Sequence, residues 1–133
     1  MSDTTGLDRA VEYVTKLDHF KQTLQAQESS CVQSGYTVQI EKGRKFDKVY
    51  IKTPNQTLGR YMVDRNSWEI YGIKSWAQVN PRRMFGTLDT VDEFDWSGYV
   101  GKPKAGTASE TQFVQREAEI QKSYAPRGRP KSK

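Results

Sequence analysis

Residues 36–73 read YTVQIEKGRKFDKVYIKTPNQTLGRYMVDRNSWEIYGI, and their periodicity decides the fold. Tyr36, Val38 and Ile40 alternate with Thr37, Gln39 and Glu41, the period-two pattern of a half-buried strand. Lys42-Gly43-Arg44 is a turn, after which Val49 and Ile51 mark a second strand. Thr53-Pro54-Asn55-Gln56 is another turn. A third strand spans Leu58 to Asp64 and a fourth Trp68 to Ile73, joined through Asp64-Arg65-Asn66-Ser67. Such short intervals predict an antiparallel meander of three to four strands, because parallel pairing needs a long crossover.

Upstream, residues 5–26 are helical in pattern. Leu7, Val11, Val14, Leu17, Lys21 and Leu24 recur at three- and four-residue spacing with Phe20 beside them, and Thr5 with Asp8 has the form of a capping box. Gln27-Glu28-Ser29-Ser30 ends the pattern. The helix packed on the meander makes the fold class α+β.

Downstream, residues 75–100 are less regular. Pro81 and Gly86 break the period, yet Trp76, Met84, Phe85, Leu88, Phe94 and Trp96 are too apolar for a free loop. An ordered wrap over the sheet, with room for one short strand, is expected. Residues 101–108 have linker composition. Residues 109–124 are a second helix candidate with Ser109 as N-cap, to dock on the body, on a partner, or to fold on binding. The organisation expected is a compact 1–100 body, a linker, that helix, and a disordered basic tail at 125–133.

The chain has 133 residues, a formal net charge of +5, one His and one Cys. One cysteine excludes an internal disulfide framework and multi-cysteine metal sites. No apolar run is long enough for a transmembrane helix, and the polar, acid-bearing N-terminus is not a secretory signal. A non-membrane, intracellular protein is expected. The charge is unevenly placed: residues 1–40 carry −2, residues 41–83 carry +6, residues 84–100 carry −4, and the last 33 carry +5. The surplus therefore belongs to the C-terminal quarter.

Within it, Pro126-Arg127-Gly128-Arg129-Pro130-Lys131 sets two arginines about a glycine between prolines. An extended strip of this kind is thin enough for a narrow A·T-rich minor groove, whose potential attracts inserted arginine. These residues resemble the AT-hook. The resemblance implies that Arg127 and Arg129 enter the groove around Gly128, with Lys131 and Lys133 reaching phosphates. Loose binding of any polyanion is the alternative for such a terminus. A second resemblance lies in Val63-Asp64, Ile70-Tyr71, Ser75-Trp76, Pro81, Arg82-Arg83 and Phe85-Gly86-Thr87-Leu88, a phrasing similar to small phage-encoded proteins. It implies a viral origin and little chemistry.

In the body, alternation sets Lys48, Tyr50 and Lys52 on one face of the second strand and Val49 and Ile51 on the other. A basic, aromatic face can stack single-stranded bases, or simply pack Tyr against Lys stems. Arg82 and Arg83 form a basic loop that grips phosphate or neutralises the acidic run after it. That run, Asp89, Asp92, Glu93 and Asp95, lacks the spacing of a calcium loop and reads as a surface for a partner. His19 and Cys31 sit twelve residues apart with no motif linking them to catalysis, and no Gly-rich phosphate loop is present. No enzyme activity and no cofactor are expected.

The expected function is a nucleic-acid-binding accessory protein of a phage or other virus. DNA is its expected partner, as A·T-rich duplex or single strand, and the body would supply homo-oligomerisation or a second contact. A virion or assembly protein, and an inhibitor of a host protein acting through residues 89–95, are the rival readings.

Overall fold

The structure is a computed structural model. It describes the backbone of residues 2–128 other than 77 and 99, and the side chains of residues 8–121 with the same two exceptions. Helix α1 (Ser2–Gln27) is followed by a short helix α2 (Ser29–Ser34) and by five strands. These are β1 (Thr37–Glu41), β2 (Phe46–Lys52), β3 (Thr57–Asp64), β4 (Glu69–Ser75) and β5 (Gln78–Thr87). They form one antiparallel sheet in the order β1-β2-β3-β4-β5. A 3-10 helix (Leu88–Glu93), a two-strand ribbon of β6 (Phe94–Asp95) and β7 (Lys102–Pro103), and helix α3 (Ala108–Gly128) complete the α+β fold.

The meander extends one strand further than the sequence suggests. Part of the expected wrap is β5, ten residues long. Its period is broken because Tyr71 pairs with Met84 while the adjacent Gly72 pairs with Asn80. Residues 81–83 are thus extruded from the ladder as a bulge. Proline lacks the N–H that a ladder needs, so Pro81 fits only at such a bulge or an edge, and β5 is an edge strand.

The helix stripe is also rotated from the one expected. Tyr13, Leu17, Phe20 and Leu24 face the core, whereas Val11 and Val14 are 58% and 57% exposed. Apolar spacing alone cannot separate two neighbouring stripes on one helix, and the aromatics decide this one. α1 begins at Ser2, ahead of the capping box expected at Thr5. After α1, Glu28 caps α2, its Oε1 accepting from the N–H groups of Ser30 (2.8 Å) and Cys31 (3.2 Å). Gly35, at φ 71°, closes α2 in the left-handed conformation that glycine adopts without penalty. Cys31 therefore lies on a short helix.

The buried face of α1 shares one core with Val38, Val49, Ile51, Tyr61, Val63, Ile70 and Phe85 of the sheet. At the centre is fully buried Trp96. Its ring lies 4.9 Å from Phe20, 5.3 Å from Tyr61 and 5.3 Å from Phe94 between centroids. Its indole N–H donates to the Val91 carbonyl at 2.9 Å. Edge-to-face aromatic contacts each add roughly 0.5–1.5 kcal/mol beyond burial, so this cluster fixes the 88–96 segment over the helix side of the sheet.

Residues 101–108, expected as a linker, carry β7 and lie against that cluster. The Gly101 N–H donates to Tyr61 Oη at 2.8 Å, and a Cβ there would sit 2.4 Å from the Trp96 ring. Helix α3 docks on the body. Phe113 stacks on Phe85 at 6.4 Å, and Arg116 Nη2 donates to the Pro81 carbonyl at 2.8 Å. Thr107 Oγ1, rather than Ser109, accepts from Glu110 N–H at the helix start, while Ser109 is buried. α3 continues past the expected end at Tyr124.

Candidate nucleic-acid interface

The sheet face opposite α1 carries the expected pair of bases with Tyr50 between them. The faces alternate as the sequence implies: Val49 and Ile51 lie in the core beneath α1, and Lys48, Tyr50 and Lys52 face away. The sequence did not reveal what covers them. Trp76, from the β4–β5 turn, folds back over this face. Its ring lies 3.7 Å from Lys48 Nζ and 5.4 Å from Tyr50. Lys48 is consequently buried at 7% exposure, an amphipathic stem roofed by an indole. Tyr50 is half-buried and Lys52 exposed. The most exposed described aromatic near this face is Trp76, at 40%.

Arg82 and Arg83 are on the β5 bulge, not in a loop between elements. With Lys74 and Asn80 they line a groove of about 430 Å³ whose far wall is the middle of α3, through Glu117, Ile120 and Gln121. The groove exists because Phe113 and Arg116 hold α3 against β5, and the bulge pushes residues 81–83 toward it. Arg82 and Arg83 are both exposed, and the Arg83 stem lies over Gly72, 3.1 Å from where a Cβ would be.

The contacts of the acidic run go to α1, to the start of α3 and to its own turn. Asp89 accepts from Lys16 Nζ at 2.6 Å, and Asp92 lies 2.9 Å from His19 Nε2. Both contacts clip the 3-10 helix to α1. Glu93 Oε1 accepts from the Ser109 N–H at 3.1 Å, at the start of α3. Asp95 accepts from the Ser97 N–H at 2.9 Å, and hydrogen bonding from the Ser97 side chain first, then from its N–H, holds its carboxyl below the usual range. Among the described residues no group of three His, Cys, Asp or Glu is placed to hold a metal ion.

His19 is exposed and Cys31 buried. Burial first, then the Glu28 charge, pushes the Cys31 thiol above its ordinary value. That disfavours the nucleophilic thiolate.

Of the tail residues, Arg129, Lys131 and Lys133 lie outside the described residues. Arg127 and Gly128 fall within the bounds of α3, and their side chains lie outside the description. No helix among the described residues is long and apolar enough to cross a membrane. Compared with known proteins, the chain matches no family model, no curated protein and no solved structure.

Proposed function

We propose that this is a nucleic-acid-binding accessory protein whose contact surface is the β5–α3 edge, continued by the basic tail. The observation that carries the reading is the β5 bulge. It sets Arg82 and Arg83 beside Lys74 in one groove along the same helix that leads to the tail. At 1.5 Å per helical residue, Gln121 in the groove wall and Arg127 are about 9 Å apart along the chain. A nucleic-acid strand gripped by the bulge thus comes within reach of the tail. Two weak contacts joined in this way gain affinity through effective concentration. Arg127, Gly128, Arg129, Lys131 and Lys133 supply the AT-hook-like contact, by resemblance to minor-groove readers. Trp76 is the residue positioned to stack an unpaired base, while Lys48 and Tyr50 support it from beneath. Asp89, Asp92, Glu93 and Asp95 serve mainly to fasten elements together in this reading. It assigns no catalysis and no cofactor.

A second reading has one observation in its favour. Val11 and Val14 are more than half exposed on the outer side of α1, a strip suited to a second copy in an assembly protein whose tail neutralises genome.

The test compares the full chain with a chain ending at residue 124 and with an Arg82→Ala/Arg83→Ala variant, on A·T-rich duplex. The proposal expects each change to weaken binding while the circular dichroism of the body is kept. Unchanged affinity in the double variant removes the β5–α3 edge from the interface. Light scattering separates the assembly reading, which requires a defined oligomer.

A further inference from the structure

A second cationic groove lies at the other end of β4, outside the surface just described. It occupies about 350 Å³ between the first half of α1, the β1–β2 turn and the β3–β4 turn. Three arginines line it (Arg9, Arg44 and Arg65) and, among the described residues, no carboxylate does. Two of them are held flat by aromatic rings. The Arg9 guanidinium sits 4.5 Å above Trp68, Trp68 lies 5.9 Å from Tyr13, and Arg65 is 5.7 Å from Tyr13. A continuous cation–aromatic–aromatic–cation row results.

Each of these guanidinium groups is fixed by one further bond. Arg9 Nη2 donates to the Asn66 carbonyl at 2.7 Å, and Arg65 Nη1 to Asp47 Oδ1 at 2.8 Å. A guanidinium has five N–H donors in a rigid fork, so both keep donors for a ligand. Arg44 is exposed and enters no ion pair among the described residues.

The backbone supplies an independent sign. Trp68, 6% exposed, has φ 67°, the only described non-glycine residue in that region. A bulky side chain there is strained, and such strain persists where the surroundings impose it. Here the Asp64 carboxylate accepts from the N–H groups of Asn66 and Ser67, and the Trp68 N–H closes on the Asp64 carbonyl at 2.8 Å. This tight turn brings Arg65, the Asn66 carbonyl and the Trp68 ring into one place.

We propose that this groove binds the phosphate oxygens of a phosphorylated ligand. Planar guanidinium forks match phosphate geometry bidentately, and the volume admits a phosphate with a small substituent. The site stands apart from the β5–α3 edge, so it does not depend on the function proposed above.

The test is an NMR titration of the full chain with inorganic pyrophosphate at low salt, following the Trp68 indole N–H and the Arg9 and Arg65 Nε–H signals. Saturable shifts at these three groups are expected. Arg44→Ala, which breaks no hydrogen bond or ion pair among the described residues, is expected to weaken binding about tenfold, the scale of one charge-assisted hydrogen bond. The Arg82→Ala/Arg83→Ala variant, which removes the other cationic groove, is expected to keep the shifts at Trp68, Arg9 and Arg65. Displacement of pyrophosphate by a short oligothymidylate identifies backbone phosphate as the source. Retention identifies a small phosphorylated molecule. Absence of saturable shifts, or equal binding by Arg44→Ala, overturns the proposal.

Discussion

Replacing Asp47 by Asn changes one atom type at the centre of a buried network. Asp47 is 1% exposed on β2. Its Oδ2 accepts from Tyr13 Oη at 2.7 Å, and its Oδ1 accepts from Arg65 Nη1 at 2.8 Å and Gly43 N–H at 3.1 Å. All three partners are donors, and Asn offers one oxygen and one NH2. With its oxygen toward Arg65 and Gly43, its NH2 meets the Tyr13 hydroxyl, which must turn to accept. The opposite orientation sets the NH2 against two donors and is worse. The favoured orientation keeps contacts but loses charge assistance, worth about 1 kcal/mol per bond over a neutral one. Arg65 is 35% exposed, so solvent discounts its share, and the cheaper burial of an amide offsets more. The expected loss is about 2 kcal/mol. In a chain of this size that lowers Tm by roughly 8 °C. Urea unfolding followed by tryptophan fluorescence should show a lower midpoint at unchanged slope. Tyr13→Phe should cost less, and the double variant should show coupling above about 0.5 kcal/mol. A loss under about 0.5 kcal/mol for Asp47→Asn refutes the account of this network.

Other perturbations have equally definite outcomes. Gly101→Ala drives a methyl into the Trp96 ring, and overpacking of this kind costs about 1–3 kcal/mol; thermal unfolding reads it directly. The Tyr71 phenol, pushed up to about 12 by burial and by its bond to Glu69, holds its proton more tightly folded than unfolded. Its contribution is thus complete below pH 10 and is lost as pH rises toward 12. Tyr71→Phe should flatten that alkaline loss in unfolding curves measured from pH 8 to 12. Trp76→Ala should uncover Lys48 and Tyr50 and weaken binding of a single-stranded oligonucleotide by about 1–3 kcal/mol, measured by anisotropy; unchanged affinity removes stacking on Trp76 from the reading.

Where local period and turn chemistry agree, the elements are legible in the sequence. β1 to β4 follow from the alternation of residues 36–73 and from Gly43, Pro54 and Asn66 in the turns. β5 was hidden, because its bulge at 81–83 shifts the register midway and Pro81 reads as a break. The α1 stripe was misplaced because Val11 and Val14 are as apolar as the residues that do pack. The face of Lys48, Tyr50 and Lys52 was correctly assigned, but its roof was not. Nothing in local spacing says that Trp76 returns over β2, since that depends on the sheet order. The Arg9, Arg44 and Arg65 groove was invisible for the same reason. Its members lie on α1, the β1–β2 turn and the β3–β4 turn, and only the tertiary fold brings them together. Arg82 and Arg83, by contrast, are adjacent in the chain and legible there.

The central claim is that two cationic segments, the β5 bulge with Lys74 and the tail, contact the same nucleic acid. The salt dependence of binding measures this most directly, because each neutralised duplex phosphate contributes about −0.9 to the log–log slope. Full engagement of Lys74, Arg82, Arg83, Arg127, Arg129, Lys131 and Lys133 predicts a slope on the order of −6 on A·T-rich duplex. Ending the chain at residue 124 should reduce its magnitude by about 3.6, and Arg82→Ala/Arg83→Ala by about 1.8. A slope near zero, or one that the double variant leaves unchanged, contradicts the claim.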